Sequence, residues 1–149
     1  MSSNLSFFAV PAAFWCAHWP HLYTVLFAGT YDNANPRALK DTLASTGSLD
    51  NERKQMFLRA KRASENGYET LGLFAAAIAA ANQAGVEVSV LNRMAWGYVA
   101  VRIAYNFAYI RLGGIPGLHL LRTFFWVNSM FLSVGLFVAA GFKAKDAIL

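Results

Sequence analysis

Acidic side chains are scarce in this chain. Eight Asp and Glu stand against thirteen Lys and Arg, and charged residues of both signs make up 14% of 149 positions. A typical soluble domain carries about 25%. Cysteine is nearly missing too: Cys16 alone excludes an internal disulfide framework and any cysteine-based zinc site. Period-two alternation is absent, which argues against a transmembrane barrel. No Lys or Arg precedes the first apolar run, so the basic start of a cleavable signal peptide is missing and that run is expected to stay as a membrane span. There is no Ser-His-Asp set, no phosphate loop, no pair of catalytic carboxylates, no repeat and no low-complexity tract.

What fills the chain is apolar. Hydrophobic residues are 56%, aromatics 15%, and the mean hydropathy is +0.35. The expectation is an all-α integral membrane protein. Four long apolar segments run roughly over 5–29, 68–84, 94–112 and 118–142 of one domain spanning 1–149. A crossing helix needs about 20 mostly apolar residues. The second segment is short, but its helical pattern extends back to about Leu49. Pro11 and Pro20 interrupt the first. Thr30 to about Gly47 reads as a loop rich in Asp, Asn, Pro, Ser and Thr. Gly113, Gly114 and Pro116 break the chain between the third and fourth spans.

The net charge of +5 would point to nucleic acid in a soluble protein. Topology explains it better, and no nucleic-acid partner is expected. Seven cations lie between Thr30 and Glu65, and Arg111 and Arg122 flank the later turn, against Arg93, Lys143 and Lys145 on the other side. Nine against three puts the basic stretch, roughly 30–65, in the cytosol and both termini in the lumen.

The charge does not stop where the second span begins. At about 100° per residue, Arg59, Arg62, Asn66 and Glu69 fall within an arc of roughly 80°, a polar stripe entering the membrane. Lys61 points away from it. The third span has its own stripe of Arg102, Tyr105 and Tyr109, within roughly 60°. An Arg at the centre of a span costs about 2.5–3.5 kcal/mol even on mild scales. Glu69 is the acid best placed to meet Arg102, and a structural ion pair is the bland reading. It leaves Arg59, Arg62, Asn66, Tyr105 and Tyr109 unexplained, whereas a pocket for a polar, multiply charged ligand uses them all. His18 and His21 are three apart but lack a matching second ligand pair, so packing is expected and no metal. Trp15, Trp19, Tyr23, Trp96 and Trp126 read as lipid or interface aromatics. Gly72, Ala75, Ala76, Ala79 and Ala80 permit close helix contact.

These residues also carry a likeness. "RAKRASENGYE", with Arg62, Ala63, Asn66 and Glu69, resembles the second-helix signature of the MAPEG family, membrane-associated proteins of eicosanoid and glutathione metabolism. "RIAYNFAY" matches the family's third-helix Arg-x-x-Tyr-x-x-x-Tyr pattern at Arg102, Tyr105 and Tyr109, and "LRTFFW" resembles the start of its fourth helix. Pro20-His21, "NANPR" and "ENGYE" look most like the fungal branch. The resemblance implies a homotrimer of four-helix subunits, often in the endoplasmic reticulum, with glutathione in clefts between subunits open to the cytosol. Arg62, Asn66, Glu69, Tyr105 and Tyr109 would then contact glutathione, with Arg59 on the same stripe and Arg102 as a polar support. An arginine near the start of the fourth helix would stabilise the thiolate. Alignment on "LRT" makes that Arg122, and Arg111 is the rival. The implied activity is transfer of glutathione to a lipophilic electrophile, or peroxide reduction or isomerisation. The alternative is a non-catalytic scaffold of the same fold that binds lipid or glutathione.

Overall fold

A computed structural model describes residues 3–146. Among these there are five α-helices and no strand: α1 (Ala9–Phe27), α2 (Leu39–Ser45), α3 (Asn51–Gln83), α4 (Val88–Phe107) and α5 (His119–Asp146). A 3-10 turn precedes α1 and another precedes α2, and a π-turn, Ala108–Leu112, continues α4. α1 packs on α3, α3 on α5, and α4 on α5 and α1.

The prolines do not interrupt the first helix. Pro11 lies in the first turn of α1, where a missing N–H costs nothing. Pro20 sits inside the helix and cannot donate to the carbonyl of Cys16, four residues back. Asn106 of α4 supplies the missing donor: its Nδ2 donates to the Cys16 carbonyl at 2.7 Å. A backbone defect in one helix is thereby turned into a tie to another. α1 then closes before Gly29, whose φ of 66° needs no Cβ.

α3 begins at Asp50, whose carboxylate accepts the Arg53 N–H at 2.9 Å, and carries Glu52 in its first turn. Its 33 residues run for about 50 Å, well beyond a hydrocarbon core of about 30 Å. The charged half therefore extends the helix past its apolar half. The segment read as a loop is partly helical: Leu39 and Leu43 of α2 are buried against Phe57 and Leu58 of α3. The larger core lies at the other end, where Phe74 stacks on Tyr98 with centroids 3.8 Å apart and Leu91, Ile78 and Leu136 close around them. The Tyr98 hydroxyl meets Thr70 Oγ1 at 3.1 Å, so its polar tip is satisfied inside that core.

Among the described residues α5 is the one helix long and apolar enough to cross a membrane by hydropathy, with 22% of its apolar window buried. α1 falls short because His18, His21, two tryptophans and two prolines dilute its aliphatic content, and α3 and α4 because they carry charge. Large apolar side chains are nonetheless exposed on α1, α4 and α5, including Trp15, Trp19, Phe107, Phe124, Phe131 and Phe142.

α1 and α3 come close together at Gly67. A Cβ there would stand 2.6 Å from Ala17 Cβ and 2.8 Å from Ala17 Cα. Backbone must move to admit it. Gly67→Ala is expected to destabilise the fold by about 1–3 kcal/mol despite its better helix propensity. Thermal unfolding in detergent checks this, and an unchanged midpoint would mean that α1 and α3 do not pack so closely.

Candidate functional site

Three helices converge on a small polar pocket of about 270 Å³. α3 contributes Arg62 and Asn66. Tyr105 from α4 and Tyr109 from the π-turn form a second wall. Arg122, Thr123 and Trp126 of α5 form the third. The α3 residues share a face because they are four apart, as are Tyr105 and Tyr109 and, on α5, Arg122 and Trp126.

A chain of cation–π and polar contacts runs through the site. Arg102 Nη1 donates to Asn66 Oδ1 at 3.1 Å. The Arg102 guanidinium lies over the Tyr105 ring, 4.5 Å from its centroid. The Tyr105 and Tyr109 rings are 5.5 Å apart, and the Arg122 guanidinium sits 5.2 Å from the Tyr109 centroid. Tyrosine faces carry partial negative charge, so each ring shields one cation. Arg102 is 3% exposed and supports the pocket from behind rather than lining it. Its Nη2 is buried without a hydrogen-bond partner.

The Glu69–Arg102 ion pair of the bland reading does not form. Glu69 is exposed, and the described ion pairs are Lys40–Glu65 at 2.8 Å, Asp50–Arg53 and Lys61–Glu65. A helical wheel gives direction around the axis but not depth. Arg102 reaches beside Gly67, where the missing side chain leaves room, and meets the amide of Asn66 one turn before Glu69. Glu69→Gln is thus expected to leave stability within about 0.5 kcal/mol of wild type, as exposed substitutions do. A drop of several degrees in the unfolding midpoint would show that the carboxylate holds the fold after all.

Arg59 also departs from expectation. It shares the α3 stripe but does not line the pocket. Its Nε donates to the Ile110 carbonyl at 3.1 Å, its Cδ lies beside Gly113 and its guanidinium beside Gly114. A π-turn disturbs the regular carbonyl ladder, and Arg59 takes one of the carbonyls in it. Its role here is to hold the turn between α4 and α5. The two rival arginines part company in space. Arg122 faces the polar pocket, whereas Arg111 lies near Met56 Sδ at 3.5 Å and 6.0 Å from the Tyr23 centroid.

Nothing in the sequence marks Thr123 as a pocket residue, and Trp126 reads as an interface aromatic whose one pocket signal is its spacing of four from Arg122. Ser129 and Ser133, on the same side of α5, are buried and bond their own helix carbonyls. His18 Nδ1 meets the Tyr68 hydroxyl at 2.7 Å and stacks on Phe14. Among the described residues no His, Cys, Asp and Glu cluster has metal-site geometry.

The model of the MAPEG family matches residues 12–142, which include α2, α3 and α4 and most of α1 and α5. No curated protein and no solved structure matches the chain.

Proposed function

Since this chain belongs to the MAPEG family, we propose that it binds glutathione in the polar pocket and presents its sulfur as a thiolate to a lipophilic electrophile arriving from the bilayer. The observation that carries this reading is the convergence of Arg62, Asn66, Tyr105, Tyr109 and Arg122 on one small cavity. Their chemistry suits the tripeptide. The planar guanidinium fork of Arg62 suits one of the two carboxylates of glutathione. The Asn66 amide and the tyrosine hydroxyls serve peptide groups and carboxylates. Glu69, exposed one turn beyond Asn66, suits the ammonium.

The reaction needs a nucleophile. A free thiol has a pKa near 8.5, and a neighbouring cation favours the thiolate. We assign this role to Arg122, which lines the pocket beside the Tyr109 ring, and the released proton passes to water at the cytosolic mouth. The thiolate then forms a carbon–sulfur bond as the leaving group departs with its electron pair. Peroxide reduction or isomerisation would use the same thiolate.

At about 270 Å³ the pocket is below the usual range of about 300–1,000 Å³ for ligand sites. A second copy would complete its wall, in a homotrimer of four-span subunits. Gly72 and Ala76, exposed on α3, offer a face for close approach. In this reading the basic segment before α3 is cytosolic, the termini are lumenal, and the membrane is that of the endoplasmic reticulum. A cysteine introduced at Arg37 is expected to be labelled from the cytosolic side, and labelling from the lumenal side alone would reverse the topology.

The deciding experiment uses purified protein in detergent. Calorimetry should detect glutathione binding, and a generic aryl halide should be conjugated. Binding without conjugation would leave a glutathione-binding scaffold. Neither would remove the reading.

A further inference from the structure

A second cavity shares no lining residue with the polar pocket, taking Ile103 and Phe107 of α4 where that pocket takes Tyr105, and nothing in the proposed chemistry uses it. It has a volume of about 690 Å³, within the range that holds a whole small ligand. It is a groove between α1 and α4. Trp15, Trp19 and Tyr23 form one wall at four-residue intervals, and Ile103 and Phe107 form the other, also four apart. Along α1 the lining extends from Ala12 to Tyr23, about 17 Å of helix. The groove therefore runs parallel to the helix axes. Its long walls are open: Trp15 is 57% exposed and Phe107 60%.

One end of this groove is charged. Arg111 lines it at the π-turn, is exposed, and has no carboxylate partner among the described residues. Its polar contact is Met56 Sδ at 3.5 Å, a weak acceptor. The Tyr23 ring stands beneath it at 6.0 Å. A long apolar trough ending in an unpaired guanidinium is complementary to one kind of molecule: a single apolar chain with an anionic head.

We propose that the α1–α4 groove binds a single-chain anionic amphiphile of the fatty-acid type, with its carboxylate on Arg111 and its chain along Trp15, Trp19, Ile103 and Phe107. The planar fork of Arg111 receives both carboxylate oxygens. The chain lies along the bilayer normal, as the lipids around it do, so it enters sideways without crossing a polar barrier. Trp15 and Trp19 supply large rigid faces at low entropic cost. The site rests on the membrane reading above but not on glutathione binding, because the two cavities share no lining residue.

The test uses the full chain in discs of zwitterionic lipid, with dibrominated stearate as the probe. Bromine quenches nearby indole emission. The expected result is saturable quenching that disappears in Trp15→Phe/Trp19→Phe and persists in Trp126→Phe. Arg111→Gln should weaken the acid by about tenfold or more, the worth of one charged hydrogen bond, and Arg111→Lys should recover part of it. The methyl ester of the same acid should bind wild type as weakly as the acid binds Arg111→Gln. Three results would overturn the proposal. Quenching lost only in Trp126→Phe would put the chain in the polar pocket. Equal binding of acid and ester would remove Arg111 from recognition. Quenching by brominated two-chain phospholipid but not by stearate would assign the groove to bulk lipid. Saturating glutathione should leave the titration unchanged whether or not the polar pocket proves to bind it.

Discussion

Arg122→Leu is expected to reduce glutathione conjugation at neutral pH by about tenfold or more, while glutathione affinity stays within a few-fold of wild type. The separation follows from geometry. Arg62, Asn66, Tyr105 and Tyr109 stand on α3 and the α4–π-turn segment and remain to hold the tripeptide. Arg122 is the α5 cation of the pocket. At an effective dielectric near 20, unit charges about 4 Å apart interact by roughly 4 kcal/mol. Solvation and competing groups reduce this, and one or two pKa units remain, each about 1.4 kcal/mol. The sign is fixed: a cation favours the deprotonated sulfur, so the bound thiol titrates below about 8.5. Without Arg122, activity should climb with pH through that value, where wild type has already levelled off. Arg122→Lys keeps the charge but not the fork and should retain part of the rate. Ultraviolet absorbance of the bound thiolate against pH reads the effect directly. If Arg122→Leu titrates as wild type does, the thiolate is held by another group.

Asn66→Leu carries the larger cost in stability. Asn66 is the hydrogen-bond acceptor seen for Arg102, which is 3% exposed and already has one nitrogen without a partner. Replacing the amide by an alkyl chain leaves a buried charge facing hydrocarbon. Leaving a buried hydrogen-bonding group unsatisfied costs about 1–3 kcal/mol, and more when it is charged. Asn66→Asp should retain the fold, since a carboxylate in the same place meets the same guanidinium. The double variant Asn66→Leu/Arg102→Leu should regain much of the loss, because the stranded charge is gone. Thermal unfolding in detergent distinguishes the cases. If Asn66→Leu unfolds within a degree or two of wild type, Arg102 draws its compensation from elsewhere, with the Tyr105 face as the next candidate.

The pocket was legible in the sequence wherever its residues share one helix. Arg62 and Asn66 announced themselves by spacing, as did Tyr105 and Tyr109, because rotation per residue is fixed in a helix. Arg59 shows where that stops. Its angular position was right, but its guanidinium goes to the Ile110 carbonyl, and no wheel contains the π-turn that brings that carbonyl within reach. The Glu69–Arg102 pairing fails for a similar reason, since azimuth says nothing about how far a neighbouring Arg102 extends. The helices themselves were readable with shifted ends: α3 reached back to Asn51, close to the Leu49 limit of its pattern. The interval 30–47 was misjudged because Leu39 and Leu43 look incidental among polar residues until Phe57 and Leu58 are seen beneath them. Pro20 looked like an interruption because its compensation, Asn106, lies eighty-six positions away in sequence.

The π-turn at Ala108–Leu112 bears on insertions and deletions. A π-turn takes one more residue per turn than an α-turn, and here it closes α4: the backbone then leaves the helix through turns at 113–118 before α5 starts at His119. A chain shorter by one residue there would close into an ordinary α-turn, with Tyr105 on α4 unmoved and the turns at 113–118 taking up the difference before Arg122. Length between Tyr109 and Arg122 is consequently a poor guide to equivalence. A cation belongs to this pocket by standing over the Tyr109 ring, as Arg122 does, whatever its count from the preceding tyrosine.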